Sequence, residues 1–281
     1  MKNKERALKG ENNEKVLAIM LSLVMVFAIT ACGGGSSDDG SLEAVKEAGV
    51  LKIGAEGNWA PYVYHNEDGE LSGFEVDMAK EIAARLGVEA EFDIADSWDG
   101  VLAGLEADRY NVVICGCGPT PERQEAYEVG IPYGEQMIAL VVAEDSEIAG
   151  FEDLEGKISA NSLTSSSGKI AESYGAELRE ADLAQGVMLI ERGDADCTVN
   201  DAAAVYAYMD ANPDAKVKVA AFYEPENAYE IQSAPIIKKG NVSLCEAIDA
   251  ALEEIISDGT AKELCAKHFG ADYAENVTLY Q

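Results

Sequence analysis

Apolar residues recur along the chain with two periods, one typical of strands and one of helices, and the two periods alternate. Residues 76–86 have the helical period, with apolar side chains on one face and Gly87 at the end. The first half predicts, in order, a strand at 51–54, a hairpin of 62–65 with 71–74 around Asp68-Gly69, a helix at 76–86, a strand at 92–94, a helix at 101–107 and a strand at 112–115. The last of these strands is apolar on both faces. This alternation is typical of a mainly parallel sheet covered by helices.

The same alternation restarts in the second half of the chain. It predicts strands at 157–160 and 197–200, and helices at 166–174, 184–192, 201–209, 244–256 and 262–268. Two long extended runs, at 138–143 and 231–237, separate these groups of elements. We therefore predict two α/β lobes joined by two extended segments, with hinges near residues 137–141 and 230–234. No short repeat is present that would indicate a solenoid.

The first 31 residues have the pattern of a secretory signal peptide. Basic residues precede an apolar run at 16–29, which is shorter than the about 20 residues that a membrane-spanning helix needs. The string Ile-Thr-Ala-Cys, which ends at Cys32, resembles the bacterial lipobox, whose Cys is lipidated and becomes the mature N-terminus. Residues 32–41 are then a flexible linker, and the protein lies outside the cytoplasm, anchored to a bacterial membrane through Cys32. The alternative is an uncleaved apolar anchor with an incidental Cys.

The excess of acidic over basic residues limits the classes of molecule that the protein can bind. The chain has 21 Lys and Arg against 52 Asp and Glu, a formal net charge of −31, and the leader contains more basic than acidic residues. Nucleic-acid binding depends on Lys and Arg contacts to phosphate, so this balance excludes nucleic acid and disfavours an anionic membrane surface as a docking site. An acidic, well-solvated surface is the simplest interpretation, and 48% apolar residues are enough for a substantial core.

Five cysteines follow Cys32, at positions 115, 117, 197, 245 and 265. An odd number in a chain of this length does not predict a disulfide framework. Cys245 and Cys265 fall on neighbouring predicted helices at heights that differ by roughly 10 Å, whereas bridged Cα atoms lie within about 7 Å. The Cys-Gly-Cys string at 115–117 has only two histidines in the whole chain as imidazole partners. The sequence therefore predicts free buried thiols and neither a metal nor a cofactor, with a disulfide or a metal site as the alternatives.

Several short strings occur together, in one order, over most of the chain. They are Leu51-Lys52-Ile53-Gly54 with Pro61-Tyr62, Asp68-Gly69 with Gly73-Phe74-Glu75-Val76-Asp77, Ser97-Trp98-Asp99-Gly100, Thr120-Pro121-Glu122-Arg123 and Ser257-Asp258-Gly259-Thr260. Each string is weak alone. With all of these strings present in this order, from residue 51 to about residue 270, the chain resembles the family 3 extracellular solute-binding proteins, the lipid-anchored amino-acid receptors of ABC importers.

The resemblance implies a two-lobed α/β fold of the periplasmic-binding-protein type II class. Lobe 1 would contain residues 42–138 and 236–281, and lobe 2 residues 139–235. It also implies a monomer that captures a free amino acid between the lobes and delivers it to an ABC transporter permease. Cyclohexadienyl dehydratases share the fold, so an enzyme with Glu56 as general acid or base near Asp201 is one alternative. A receptor for another small solute is the other, whereas no P-loop or dinucleotide fingerprint is present.

The string Thr120-Pro121-Glu122-Arg123 has a physical meaning of its own. Thr is a good N-cap residue and Pro suits the first helical position, so a helix is predicted to start here. The exposed amides of that helix and the Arg123 guanidinium suit a carboxylate. In the family the matching Arg holds the α-carboxylate of the ligand, and the resemblance assigns this role to Arg123. Without the resemblance, an exposed Arg paired with Glu122 or Glu125 is the simpler interpretation.

Asp201 follows the strand predicted at 197–200 and begins a helix, a place where Asp commonly serves as the N-cap. Ligands of α/β lobes bind outside the carboxyl ends of strands, which is where Asp201 lies. In the family the matching Asp accepts hydrogen bonds from the α-ammonium group of the ligand. The resemblance therefore implies that Arg123 and Asp201 bracket a zwitterion from the two lobes.

The other site residues are carried over from the family's motifs. The expected ligand-binding set is Glu56, Trp59, Trp98, Cys115, Gly116, Gly118, Arg123, Thr164, Ser165 and Asp201, with Tyr62 as a further aromatic candidate that is equally suited to the core. Thr164 and Ser165 match a Gly-Thr-Thr loop, although Leu163 replaces its Gly. Glu56 stands where the family often has Asp, and the Cys-Gly-Cys-Gly string replaces a Ser/Thr-rich stretch, so its glycines offer backbone amides only. These departures concern the side chain of the ligand, not its α-amino-acid part.

Overall fold

The computed structural model describes residues 39–270, so Cys32, the predicted leader and residues 271–281 lie outside the described part. Its α-helices are α1 Ser41–Ala48, α2 Phe74–Leu86, α3 Trp98–Glu106, α4 Pro121–Ala126, α5 Ser166–Ser173, α6 Leu183–Arg192, α7 Ala202–Ala211, α8 Val242–Ser257 and α9 Thr260–Phe269. Its strands are β1 Val50–Glu56, β2 Asn58–Trp59, β3 Val63–His65, β4 Leu71–Ser72, β5 Glu89–Ala95, β6 Val112–Val113, β7 Tyr127–Val129, β8 Gly134–Glu135, β9 Ile138–Ala143, β10 Ile158–Ala160, β11 Glu177–Arg179, β12 Cys197–Asp201, β13 Val217–Phe222, β14 Gln232–Ser233 and β15 Ile236–Lys238.

Two five-stranded sheets are built on one plan. The first has the order β5-β1-β6-β15-β7, with β1 parallel to β5 and β6, and β15 antiparallel to both of its neighbours. The second has the order β11-β10-β12-β9-β13, with β10 parallel to β11 and β12, and β9 antiparallel to both of its neighbours. In each sheet the antiparallel strand is the one through which the chain enters from the other sheet.

Helices cover each sheet, and each sheet has a core of its own. Leu51 and Ile53 of β1 are fully buried in the first core, together with Ile82 of α2. In β9, the side chains of Ile138, Leu140 and Val142 pack in one cluster, and that of Val141 packs in another. The run at 138–143 therefore lacks polar alternation because both faces of this central strand are covered.

The two segments that connect the sheets pair with each other. β8 pairs antiparallel with β14. Backbone bonds from Tyr133 N to Ser233 O (2.8 Å) and from Gln136 N to Ile231 O (2.7 Å) extend this contact. We call residues 130–137 and 231–235 the crossing segments. Because residues 138–141 lie inside β9, the first crossing segment precedes the hinge predicted at 137–141.

The structure refines other predicted segments. Ser41 already begins α1, and Asp39 accepts a hydrogen bond from Ser243 N at 2.8 Å, so the end of the linker predicted at 32–41 is packed against α8. The run at 231–237 forms two short strands, because Pro235 has no N–H to continue a ladder. The cysteines at 115, 117, 197, 245 and 265 are free and buried, as predicted.

Candidate functional site

A cavity of about 90 Å³ lies at the carboxyl ends of the parallel strands of both sheets. Glu56 ends β1, and the loop with Cys115 and Gly116 follows β6, on the side of the first sheet. Asn161 follows β10, and Asn200 lies near the end of β12, on the side of the second. The carboxyl edges of parallel strands are where open α/β sheets bind ligands, so this cavity is the candidate site.

Most of the residues predicted for ligand binding meet in this cavity. The lining includes seven of them: Glu56, Trp59, Trp98, Cys115, Gly116, Arg123 and Ser165. Thr164 instead lines a neighbouring cavity of about 690 Å³, which shares Arg123 and Ser166 with the first. Gly118 and Asp201 line neither cavity, and each contacts the site in the ways described below.

Arg123 lies on α4, whose start has the local structure that the sequence predicts. Thr120 is the N-cap, with its hydroxyl accepting from Arg123 N at 3.3 Å, and Pro121 is the first helical residue. The guanidinium is buried and donates from Nη1 to Gly118 O (3.0 Å) and Ser166 Oγ (2.9 Å), and from Nη2 to Thr164 O (3.0 Å). Arg123 therefore joins the first lobe to the loop before α5 in the second.

Asp201 ends β12 and is the N-cap of α7. Its Oδ1 accepts from the amides of Ala203 (2.8 Å) and Ala204 (3.2 Å), and its side chain is only 1% exposed. Burial raises the pKa of this carboxyl to about 6. Hydrogen bonds to the carboxyl, including one from the Tyr62 side chain, have the opposite effect and lower the pKa. The adjacent Asn200 lines the cavity, so Asp201 lies directly behind the cavity wall.

Glu56 lies at the end of β1 with other acids around it. Burial raises the pKa of Glu56 to about 7, and the charges of Asp182, Glu180 and Asp99 add to this increase. Asp182 also lines the cavity, from the opposite lobe, and accepts from Asn58 Nδ2 at 3.2 Å. This end of the cavity is therefore acidic, and Glu56 is partly protonated near pH 7.

Two indoles form apolar walls of the cavity. Trp59 stacks on Tyr62, with ring centroids 4.2 Å apart and an interplanar angle of 19°, and its Nε1 donates to Asn200 Oδ1 at 3.1 Å across the lobes. The Arg123 guanidinium lies 5.4 Å from the centre of the Trp98 ring. Tyr62 is buried behind Trp59 and does not line the cavity, so the structure places this aromatic candidate in the core.

The loop after β6 requires its glycine at position 116. Gly116 has a φ of +58°, and a Cβ there would lie 2.4 Å from the Trp59 ring. Its amide donates to Glu75 Oε1 at 2.8 Å, which fixes the loop that forms the cavity wall. The Cys115 thiol has a pKa well above its usual value, because it is buried and lies near Glu75 and Glu56. It is therefore held in the neutral, poorly nucleophilic form.

The loop before α5 contacts Arg123 and the first lobe. Ser165 is the N-cap of α5, accepting from Gly168 N at 3.0 Å. The Thr164 hydroxyl donates to Asp99 Oδ1 of the first lobe. Together with Trp59–Asn200 and Asn58–Asp182, this bond joins the two lobes.

Sequence reasoning missed several residues of the cavity wall. The polar ones include Asn58, Gln136, Asn161, Ser166, Asp182 and Asn200. Asn161 and Asn200 lie at strand ends, so the rule that pointed to Asp201 also applies to them. Gln136 comes from a crossing segment and has no local signal in the sequence. Among residues 39–270, no cluster of three or more potential metal ligands is found, and no helix is long and apolar enough to cross a membrane.

The model of one protein family covers nearly all of the described chain. The family of bacterial extracellular solute-binding proteins, family 3, matches residues 51–271. This chain belongs to that family. Its members act outside the cytoplasm, as their description states, and the match includes both sheets and both crossing segments.

Individual relatives agree in fold and extent. The L-cystine-binding protein TcyA of Bacillus subtilis is 33% identical over 274 residues, which are 93% of this chain and 100% of that protein. An ancestral arginine-binding protein bound to arginine superposes with a TM-score of 0.71 at 34% identity, over 79% of this chain and 99% of that one. The L-cystine solute receptor of Neisseria gonorrhoeae, in its unliganded open conformation, gives 0.53 at 38% identity, over 83% of this chain and 98% of that one. The fold is thus the two-lobed type II periplasmic-binding-protein fold.

Proposed function

We propose that this protein captures a free amino acid in the cavity between its lobes and delivers it to the permease of an ABC importer. The observation that carries the proposal is the placement of opposite charges on the two lobes. Arg123 of the first lobe lines the cavity, and the Asp201 carboxylate of the second lies directly behind its wall. The names of the relatives, which are amino-acid-binding proteins, support the same function.

Arg123 is suited to the α-carboxylate. Its bonds to Gly118, Thr164 and Ser166 use three of the five N–H donors of a guanidinium. The two remaining donors, on Nε and Nη2, are available to a carboxylate. Because Arg123 also contacts Ser166 and Thr164 of the second lobe, a carboxylate bound at Arg123 would lie next to the contact between the lobes.

Asp201 is suited to the α-ammonium group. Oδ1 is occupied by the amides at the start of α7, whereas Oδ2 makes no hydrogen bond of standard geometry with the described residues. The Tyr62 side chain lies beside this carboxylate and lowers its pKa. An ammonium group would lie beside the Tyr62 hydrogen bond on this carboxylate and supply the opposite charge that a buried carboxylate needs.

We take L-cystine as the first candidate ligand and L-arginine as the second. The relative from Bacillus subtilis and the receptor from Neisseria gonorrhoeae bind L-cystine by name. Both candidates carry a second cationic group beyond the α-ammonium group. The carboxylates of Glu56 and Asp182, at the negative end of the cavity, match that second group.

Calorimetry tests the proposal directly. The purified protein is titrated with L-cystine, L-arginine, L-glutamine and L-aspartate, and we expect one-to-one binding of L-cystine or L-arginine and none of L-aspartate. At a concentration 100 times its Kd, a ligand adds about 2.7 kcal/mol to the free energy of unfolding, so thermal melts provide an independent readout. No binding of any of these amino acids, or of others in a wider melting screen, would contradict the proposed function.

An enzyme of the cyclohexadienyl dehydratase type is the second candidate. It is favoured by one observation, the pKa of Glu56 near 7, which suits a general acid or base. Consumption of prephenate or arogenate by the purified protein would establish it. Stoichiometric binding without product supports the receptor.

The remaining proposals concern where the protein works. We propose that Cys32 is lipidated and anchors the protein to a bacterial membrane, because a lipobox-like string follows a short apolar run in the sequence. We also propose that the protein acts as a monomer, with lobe boundaries near residues 138 and 236. β9 of the second sheet begins at Ile138 and β15 of the first at Ile236, which supports these boundaries.

A further inference from the structure

Gln136 belongs both to the first crossing segment and to the wall of the amino-acid cavity. Its backbone amide donates to Ile231 O at 2.7 Å, and its side-chain Nε2 donates to Ser233 Oγ at 3.1 Å, so it is bonded twice to the second crossing segment. A Cβ at Gly116 would lie 2.9 Å from the same Nε2, which places the amide against the loop after β6. The Gln136 side chain therefore lies where the cavity wall and both crossing segments meet.

The loop after β6 is bonded to both crossing segments near this point. Ala234 N of the second segment donates to Cys117 O at 2.8 Å. The Tyr133 hydroxyl of the first segment donates to Glu75 Oε1 at 2.5 Å, and the same oxygen accepts from Gly116 N at 2.8 Å. The loop and the two crossing segments are therefore held together, so a side chain of the first segment has a fixed position relative to the cavity.

The first crossing segment also leads directly to Asp201. Ile138 pairs with Asp201 across β9 and β12, and Ala202 N donates to Met137 O at 2.6 Å. The backbone amide of Met137 is hydrogen-bonded to the Asp201 carboxylate. Gln136 thus lies one residue from a backbone group that contacts the carboxylate to which we assign the α-ammonium group.

The Asp201 carboxylate alone cannot satisfy an ammonium group. It already accepts from the amides of Ala203 (2.8 Å) and Ala204 (3.2 Å), and hydrogen bonds from Met137 and Tyr62 add to these. A carboxylate has about four lone-pair positions, whereas a primary ammonium group has three N–H donors. Asp201 therefore supplies the negative charge, and other acceptors must supply most of the hydrogen bonds.

The side-chain oxygen of Gln136 is such an acceptor. Nε2 is bonded to Ser233, and Oε1 accepts no hydrogen bond from residues 39–270. The two wall amides at the strand ends differ in this respect, because Oδ1 of Asn161 and Oδ1 of Asn200 each already accept two hydrogen bonds. Gln136 therefore offers the cavity a free amide oxygen that these two residues do not.

We propose that Gln136 binds the α-ammonium group of the amino acid through Oε1 and links the occupied cavity to the crossing segments through Nε2 and Ser233. Because Ser233 holds one end of the amide, its oxygen is positioned before the ligand arrives. A ligand bound to Oε1 in turn restrains the pairing of the crossing segments, about which we expect the lobes to rotate. The proposal rests on the proposed function, in which Asp201 provides the charge for the α-ammonium group.

Calorimetry of the purified full chain with L-cystine and, separately, L-arginine tests this role. Gln136→Met keeps the length of the side chain without its amide, and we expect an about ten- to hundredfold weaker affinity, as for the loss of a hydrogen bond to a charged group. Gln136→Glu restores an acceptor oxygen, and the Ser233 hydroxyl can donate to the other oxygen, so the affinity should return to within about threefold of the wild type. Ser233→Ala is the matched control, which removes only the bond to Nε2 and should weaken the affinity by about two- to fivefold.

The outcomes separate this proposal from the proposed function. If folded Gln136→Met binds as tightly as the wild type, or if Gln136→Glu binds no better than Gln136→Met, Oε1 does not bind the ligand, although the receptor function stands. A loss in Ser233→Ala as large as that in Gln136→Met would assign the effect to the crossing segments alone and would also overturn the proposal. If no amino acid binds the wild type, the proposed function fails and this inference fails with it.

Thermal melts show which variants are folded. If Gln136→Met does not fold, nuclear magnetic resonance of the wild type replaces it, with the side-chain amide signal of Gln136 assigned by its loss in Gln136→Glu. That signal should shift when L-cystine or L-arginine binds, and an unchanged signal at saturating ligand would overturn the proposal.

Discussion

We assign Asp201 two tasks, one structural and one proposed. Oδ1 accepts from the amides of Ala203 and Ala204 and so caps α7, and we propose that the same carboxylate binds the ammonium group of the ligand. A carboxylate that is a structural cap is pre-positioned, because the helix fixes its rotamer before any ligand arrives. The same contact also means that simple truncation would disturb the helix and the site together.

Asp201→Asn separates the two tasks. The amide oxygen keeps the cap, since Asn and Asp cap helices about equally well, whereas Asp201→Ala loses about 1 kcal/mol of stability. In both variants the ammonium group of the ligand loses its charged partner, which typically costs about 2–5 kcal/mol, roughly a thirty- to several-thousand-fold weaker affinity. Melting curves and calorimetry with L-cystine check this. Tight binding by Asp201→Asn would contradict the assigned role.

Glu75 makes the stability of the fold depend on pH. Its pKa rises from 4.5 to about 7, chiefly through burial, so the native state binds the proton more tightly than the unfolded chain does. Its contribution to the free energy of unfolding is therefore fully present below about pH 4.5 and is lost as pH rises through about 7. For a buried group the loss is on the order of 3 kcal/mol.

Urea denaturation at pH 5 and pH 8 measures this loss. We expect Glu75→Gln to show a smaller difference between the two pH values than the wild type, because Gln does not titrate. Glu67→Gln, at an exposed position of the nearby hairpin, is the control and should behave like the wild type. An equal pH dependence in all three proteins would show that Glu75 is not the group responsible.

The place of a site residue can be predicted from the sequence only where its neighbours in the chain fix its position. Thr120 and Pro121 predict the start of the helix that carries Arg123, and the preceding strand predicts where Asp201 lies. The ligand-binding roles of both residues come from the resemblance to the family. Gln136 and Asn58 reach the cavity through a crossing segment and a two-residue strand, whose positions depend on contacts distant in sequence. The burial of Tyr62 behind Trp59 likewise follows from packing that no local pattern contains.

At the scale of elements, the loop before α5 connects the lobes. Thr164 contributes its carbonyl to Arg123 and its hydroxyl to Asp99, and both partners belong to the first lobe. The capping of α5 by Ser165 holds this loop in place. A small polar loop at a helix start therefore helps to hold the cleft closed.

Thr164→Val removes the hydroxyl and keeps the shape and the carbonyl. The lost bond is exposed, so we expect a cost of about 0.5 kcal/mol, at the lower end of the usual range, which is about a twofold weaker affinity for L-cystine. The change should appear mainly in the dissociation rate, because the bond forms only in the closed arrangement. Thr164→Ser, which restores a hydroxyl, should recover most of the affinity in surface plasmon resonance. Equal rates for the Val and Ser variants would exclude this contact.

The alternation of strands and helices can be predicted from local sequence patterns, whereas the order of the strands within each sheet cannot. Periodicity identifies β1, β9 and β12 as strands, and their observed bounds differ from the predicted ones by only a few residues. It does not show that β15 inserts between β6 and β7, more than 100 residues away in the chain. That placement results from burial of Ile236 and Ile237 in the first core. The antiparallel direction of β9 and β15 is likewise decided by how the chain crosses between sheets.

At the scale of the whole molecule, the predicted leader and the net charge bear on where the protein is held. The net charge of −31 disfavours electrostatic attachment to an anionic membrane, which supports the proposed lipid anchor on Cys32. We expect Cys32→Ser to be released into the medium or periplasm, or to remain unprocessed. Membrane fractionation with an antibody against the protein measures this. A Cys32→Ser protein that is processed and retained like the wild type would contradict the lipid anchor.

The last prediction is that the two lobes close on the ligand. It is based on the small number of contacts that hold the lobes together. Besides the crossing segments, the lobes touch through polar contacts such as Arg123 with Ser166 and Trp59 with Asn200. Such contacts between lobes are weak in water, so an amino acid that bridges Arg123 and Asp201, as we propose, would supply most of the preference for the closed arrangement. We then expect rotation about the crossing segments to open the cleft when the ligand leaves.

Small-angle scattering with and without saturating L-cystine tests this expectation. The radius of gyration of the wild type should fall on binding. Asp201→Asn at the same ligand concentration is the control and should keep the larger radius, because it lacks the charge that joins the ligand to the second lobe. A wild-type radius that is unchanged at saturating ligand would contradict the hinge, and compaction of Asp201→Asn equal to that of the wild type would contradict the role of Asp201 in closing it.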